Sequence, residues 1–134
     1  MPIAICLYHP IWSTKERAPI LTAAVEAIVA DTIKHKSAEL GCPIFAINMH
    51  ADHIHVAVSI VPALSVSEWA SKVKGVSSRA VNVAFPDLDF AWQRGYGVLT
   101  FGEKHLKIAQ EYIERQKEHH QNNTLFNGME HTDE

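Results

Sequence analysis

The chain has 134 residues, enough for one domain and too few for two ordinary ones, and 47% of them are hydrophobic, enough to bury one core. No stretch approaches the ~20 apolar residues of a membrane span, and Met1 to Tyr8 has no positive region ahead of its apolar run, so neither a membrane protein nor a secretory signal is expected. A formal net charge of −3 argues against a general nucleic-acid binder, which is usually basic, and the two cysteines, Cys6 and Cys42, sit in apolar surroundings that read as free thiols of a cytoplasmic protein.

Residues 3–9, Ile-Ala-Ile-Cys-Leu-Tyr-His, predict a buried strand, and residues 10–19 a polar connection between Pro10 and Pro19. From 20 to 40 the apolar positions Ile20, Leu21, Ala24, Ile28, Ile33, Ala38 and Leu40 recur near helical spacing, and Gly41 supplies the stop. Residues 43–50 and 53–61 predict two strands joined at Ala51-Asp52 into a hairpin, which Pro62 ends. Ser65 or Ser67 can cap a helix over 67–83 with Trp69, Val73 and Val76 toward the core, although Gly75 weakens it by about 1 kcal/mol relative to alanine. Residues 84–95 are irregular, Tyr96 to Phe101 is a fourth strand, and after Gly102 the spacing of Leu106, Ala109, Tyr112, Ile113 and Gln116 predicts a last helix over 103–119. The order predicts a single α+β domain over 1–121, with a mainly antiparallel, ferredoxin-like (split βαβ) sheet covered by helices on one face. A polar acidic tail follows over 122–134.

Two short constellations carry chemistry. In a strand His53 and His55 share one face, with Cα atoms about 7 Å apart, while Ile54, Val56 and Val58 point the other way into the core. Two neutral imidazoles at that spacing can hold a divalent cation, and Asp52 beside them can orient a ring. Such a pair is equally the polar face of a half-buried strand, and His50 reads as a turn residue. On the last helix Tyr112 and Gln116, four apart, project together. The Tyr112 phenol is a candidate nucleophile and the Gln116 carbonyl a candidate third ligand for Mg²⁺ or Mn²⁺. The plainer alternative is a tyrosine ring packed on the sheet and a glutamine in solvent.

Several segments together resemble the HUH single-tyrosine transposases encoded by insertion sequences of the 200/605 group. They are Trp12-Ser13-Thr14-Lys15 after the first strand, His-Ala-Asp-His-Ile-His-Val at 50–56 and Lys74-Gly75 followed by Ser77-Ser78-Arg79. The others are Phe90-Ala91-Trp92-Gln93-Arg94-Gly95-Tyr96-Gly97, and Tyr112-Ile113-Glu114-Arg115-Gln116 with His119-His120. The likeness runs over residues 3–121 in the family's order, with Ala51 standing where many relatives carry proline. The resemblance implies that Tyr112 attacks a single-stranded DNA phosphodiester, forming a 5′-phosphotyrosine link and releasing a 3′-hydroxyl. His53, His55 and Gln116 would hold the metal. It further implies recognition of DNA hairpins at element ends and a homodimer. On physical grounds Lys72, Lys74 and Arg79 are candidates for phosphate contacts, and Arg94 and Tyr96 for stacking or pairing with extruded bases; ordinary surface is the alternative for all five. Two other readings stay open. One is a replication-initiator or relaxase-type nuclease domain, and the other is a non-catalytic, domesticated protein that only binds hairpins.

Overall fold

The computed structural model describes residues 6–115. The start of the first predicted strand, Gln116, His119, His120 and the acidic tail lie outside the described residues. Strand β1 (Leu7–Ser13) is followed by helix α1 (Ala23–Glu39), strands β2 (Ile44–His50) and β3 (His53–Ser59), helix α2 (Val66–Ala84), strand β4 (Gly97–Phe101) and helix α3 (Leu106–Glu114). All strand pairings are antiparallel, in the order β2-β3-β1-β4. The α+β class and the antiparallel sheet agree with the expectation from the sequence.

The first strand is displaced from its predicted place. Residues 10–13 do not leave the sheet at Pro10. They continue β1, with Pro10 opposite Val98 of β4 and Ile11, Trp12 and Ser13 opposite His55, Ile54 and His53 of β3. A proline in a central strand forfeits one ladder bond. The buried Ile11 and Trp12 on its C-terminal side hold the strand in register all the same, because leaving them in a loop would expose two large apolar side chains.

Helix α1 starts three residues later than its apolar spacing suggests, because Thr22 caps it by accepting from the Val25 N–H. Its buried stripe is Val25, Val29, Ile33 and Ser37, and Ala24 and Ala38 face solvent. The bulkier β-branched residues take the core because they remove more apolar area from water than alanine does. Helix α2 begins with a reciprocal capping box between Ser65 and Glu68 and buries Trp69, Ala70, Val73, Ser77 and Val81.

The helices do not all lie on one face of the sheet, as the sequence suggested. Helices α1 and α2 pack on the face carrying Trp12, Ile54, Val56 and Val58. Helix α3 crosses the opposite face, where Tyr112 and Ile113 pack against Ala46 and Ala57. Two side-chain amides fasten it there. Asn48 Nδ2 donates to the carbonyls of Ile113 and Glu114 at 3.2 and 3.0 Å, and Gln110 Nε2 donates to the Phe45 carbonyl at 3.0 Å. Asn48 thus satisfies carbonyls that the end of a helix leaves without intrahelical donors. Asn48→Ala should cost about 1 kcal/mol. It should speed amide exchange across Leu106–Glu114 while leaving α1 and α2 unchanged; equal protection of α3 in the variant would show that packing alone docks this helix.

Candidate active site

The β2–β3 hairpin closes in two residues, with His50 opposite His53. Its turn carbonyls are not left to water. Ala51 accepts from the Leu21 N–H and Asp52 from the Thr14 N–H, both at 2.9 Å. The loop after β1 and the approach to α1 therefore brace the residue that precedes the histidine pair.

His53 and His55 occupy one face of β3, as the alternation requires, with ring centroids 5.2 Å apart. This face is not the wet surface that two histidines on a half-buried strand suggest: His53 is 4% exposed and His55 fully buried. His53 Nδ1 donates to Asp52 Oδ1 at 2.7 Å. Asp52 Oδ2 lies 3.3 Å from Arg17 Nε. Burial pushes the Asp52 carboxyl up, but the His53 hydrogen bond and the Arg17 charge outweigh it, and the group sits below its ordinary value. Arg17 reaches Asp52 from a tight loop in which Glu16 and Arg17 both adopt left-handed backbone, with φ of 57° and 54°. That conformation costs a non-glycine residue about 1–3 kcal/mol. It is held by the Arg17 N–H on the Thr14 carbonyl and by the Glu16 N–H on Gln93 Oε1.

Two groups that the sequence reading gave no part in the site join the pair. His9 is 1% exposed, and its Nε2 lies 2.9 Å from His55 Nδ1. His50, read as a turn residue, places its ring 5.7 Å from that of His53. A signal for His9 existed: β1 carries it at the odd positions shared with Leu7 and Ile11, and Ile11 pairs with His55. Reading it needed the β1–β3 register, which no local pattern supplies.

Tyr112 comes to the same place from α3. It is buried, and its ring centroid lies 6.2 Å from those of both His9 and His55, edge to face. It also lines a cleft of about 290 Å³ with His9, Leu99, Phe101, His105 and Ile108. The structure thus brings together His53, His55 and Tyr112, three of the four residues expected to do chemistry. The fourth, Gln116, lies outside the described residues.

The donor chemistry fits a divalent cation. With Nδ1 of His53 committed as a donor to a carboxylate, its neutral imidazole carries a lone pair on Nε2, the form that binds metals. His53 and His55 alone make two ligands, and among the described residues no group of three His, Cys, Asp or Glu side chains is arranged to hold an ion.

The five residues expected to touch DNA do not form one cluster. Lys74, Arg94 and Tyr96 line an open groove of about 770 Å³ between α2 and residues 90–96, together with Ser71 and Ser78. Lys72 and Arg79 are exposed on α2 outside that lining. Lys74 already has work: its Nζ donates to the carbonyls of Gln93 and Gly95 at 2.8 and 2.9 Å. Burial pushes its ammonium below the ordinary value. Its demonstrable role is to fasten the loop that presents Arg94, an exposed residue at the groove's rim.

Transposases of known structure share this fold. A candidate transposase from Deinococcus radiodurans R1 superposes with a TM-score of 0.71 at 28% identity, over 86% of this chain and 93% of that one. The fold alone is shared with a REP-associated tyrosine transposase bound to a REP hairpin, at a TM-score of 0.66 and 15% identity over 90% of this chain and 71% of that one. The chain belongs to the IS200-like transposase family, whose model matches residues 3–116. Among its relatives, the ISDra2 transposase TnpA of Deinococcus radiodurans is 30% identical over 81% of this chain and 82% of its own length. The transposase for insertion sequence element IS200 of Salmonella typhimurium is 33% identical over 84% of this chain and 78% of its own.

Replacing Lys74 by methionine should unfasten residues 93–96. The expected cost is about 1 kcal/mol by urea unfolding, with faster amide exchange at Gln93–Tyr96. An unchanged exchange rate there would mean that Phe90 and Trp92, packed edge to face at 4.8 Å, hold the loop unaided.

Proposed function

We propose that this transposase cleaves and rejoins single-stranded DNA at the ends of an insertion element, with Tyr112 as nucleophile. The observation that carries the reading is the placement of the Tyr112 ring 6.2 Å from that of His55, in a face where His53 and His55 are both buried. A phenol ordinarily titrates near pH ~10, so its attack on phosphorus needs a strongly polarised phosphate. His53 and His55, with Gln116 as a third ligand, would hold Mg²⁺ or Mn²⁺; bound there, the ion would polarise the phosphate oxygens.

The chain's own residues do the rest. Tyr112 Oη forms the new bond to phosphorus, the bond to the 3′-oxygen breaks, and the phenolic proton leaves while the departing oxygen becomes a 3′-hydroxyl. The 5′-phosphotyrosine link keeps the bond energy of the phosphodiester, so a second 3′-hydroxyl can attack it and restore both a DNA bond and the free tyrosine. Asp52 orients His53 throughout. Burial of the imidazole face beneath α3 limits water, which would otherwise compete for the phosphotyrosine.

The partner we propose is single-stranded DNA with hairpin ends. The groove beside Arg94 and Tyr96 offers a cation and an aromatic plane for an unpaired base, and Lys72 and Arg79 offer exposed charge for phosphates. The solved relative seated on a REP hairpin supports this choice of ligand. A homodimer is part of the same reading. β4 is a sheet edge with Val98 37% exposed, and the 62% exposed Ile108 of α3 adds apolar surface to pair with a second copy. No helix among the described residues is long and apolar enough to cross a membrane, and we place the protein with DNA in the prokaryotic cytoplasm.

The test is covalent capture of a labelled single strand carrying the element's hairpin. Wild type with Mn²⁺ should yield a protein–DNA adduct. Tyr112→Phe should lose it by at least about 10³-fold while retaining hairpin binding. EDTA should abolish the adduct and spare binding. Undiminished adduct in Tyr112→Phe would remove this residue as nucleophile, and binding without any adduct in wild type would favour the non-catalytic hairpin binder.

A further inference from the structure

His9 is the one buried imidazole of the site that the proposed reaction leaves without a task. It sits on a central strand at 1% exposure, a place where a polar side chain is costly unless its hydrogen-bonding groups are engaged. Its Nε2 faces His55 Nδ1 at 2.9 Å, with ring centroids 5.1 Å apart and planes tilted by 45°. Two neutral imidazoles meeting nitrogen to nitrogen share a single proton between those two atoms, so the contact has two polarities. If His9 donates, His55 accepts on Nδ1 and carries its own proton on Nε2, where no cation can bind. If His55 donates from Nδ1, its Nε2 keeps a lone pair and His9 carries its proton on Nδ1.

We propose that His9 is a positioning residue: it accepts the Nδ1 proton of His55 and so fixes the His55 tautomer that presents Nε2 as a metal-binding lone pair. The arrangement repeats what Asp52 does for His53, whose Nδ1 donates to the carboxylate at 2.7 Å. The two strand imidazoles, 5.2 Å apart, are thus each held at Nδ1 by an acceptor from a different segment, the hairpin turn for one and β1 for the other. The two acceptors differ in kind. Asp52 brings a negative charge to a partly exposed turn, while His9 brings a neutral acceptor to a fully buried position, where a second carboxylate would meet a large desolvation cost. His9 Nε2 is committed to His55, so His9 acts through that residue and is not itself a ligand through this nitrogen.

This inference rests on the proposed cation site, and the experiment separates the two. Purified full-length protein without DNA is titrated with Mn²⁺, and the free ion is read by electron paramagnetic resonance. His9→Phe, which keeps a flat ring and removes the acceptor, should weaken Mn²⁺ binding by about 10–100-fold, and His9→Gln, which puts an acceptor oxygen near the place of Nε2, should restore most of that loss. Binding by His9→Phe equal to wild type, or by His9→Gln as weak as His9→Phe in folded protein, overturns the role. Long-range ¹H–¹⁵N spectra of metal-free wild type read the His55 tautomer directly and need no variant. A proton on Nδ1 supports the proposal, and a proton on Nε2 overturns it even if His9→Phe does not fold. A wild type that binds no Mn²⁺ would sink the cation site, and the tautomer would then decide the role of His9 alone.

Discussion

Strand β3 is buried on both faces, and the two faces are buried for different reasons. Ile54, Val56 and Val58 sit in the core beneath α1 and α2, and their removal from water fixes the register of the strand. A slip by one residue would drive His53 and His55 into that core and expose the aliphatic side chains. The apolar face therefore places the imidazoles, and everything in the site is arranged around residues that hydrophobic burial has already positioned. The opposite face is enclosed by α3, which brings Tyr112 down onto it and shuts out solvent.

Burying three imidazoles requires partners for them, and the partners come from separate parts of the chain. Asp52 stands in the hairpin turn, tied to the rest of the molecule through backbone bonds from Leu21 and Thr14 and through Arg17. His9 arrives on β1, and β1 is where it is because Ile11 and Trp12 pull Pro10 into the sheet. The strained residues Glu16 and Arg17 lie at the point where the loop must turn sharply to set a guanidinium beside Asp52. In this member of the IS200-like transposases, two of the three left-handed non-glycine residues among the described residues, Glu16 and Arg17, thus lie beside the turn that leads into the buried imidazoles.

The groove between α2 and residues 90–96 separates charged residues that the sequence leaves grouped. Lys72, Lys74 and Arg79 look alike as a basic run. In the fold only Lys74 reaches the groove, and there its ammonium closes a loop through two carbonyls and is half removed from water. Helical periodicity separates the three. The helix face that carries Ser71, Lys74 and Ser78 meets the 90–96 segment, and Lys72 and Arg79 stand off that face, exposed.

The sequence by itself determined the class of fold, the β2–β3 hairpin, the shared face of His53 and His55, and the placing of Tyr112 on the last helix. Each of these follows from a period of two or of nearly four residues, which local backbone geometry imposes. It misplaced the end of β1 and the start of α1, because a proline signal is weak beside the burial of Ile11 and Trp12, and apolar spacing alone does not mark the Thr22 cap. Only the tertiary structure decided that α3 covers the imidazole face, that Asp52 and Arg17 meet, and that His9 stands against His55. Those are contacts between residues 35 to 65 or so apart in the chain, set by strand register and helix docking, and no repeat in the sequence encodes them.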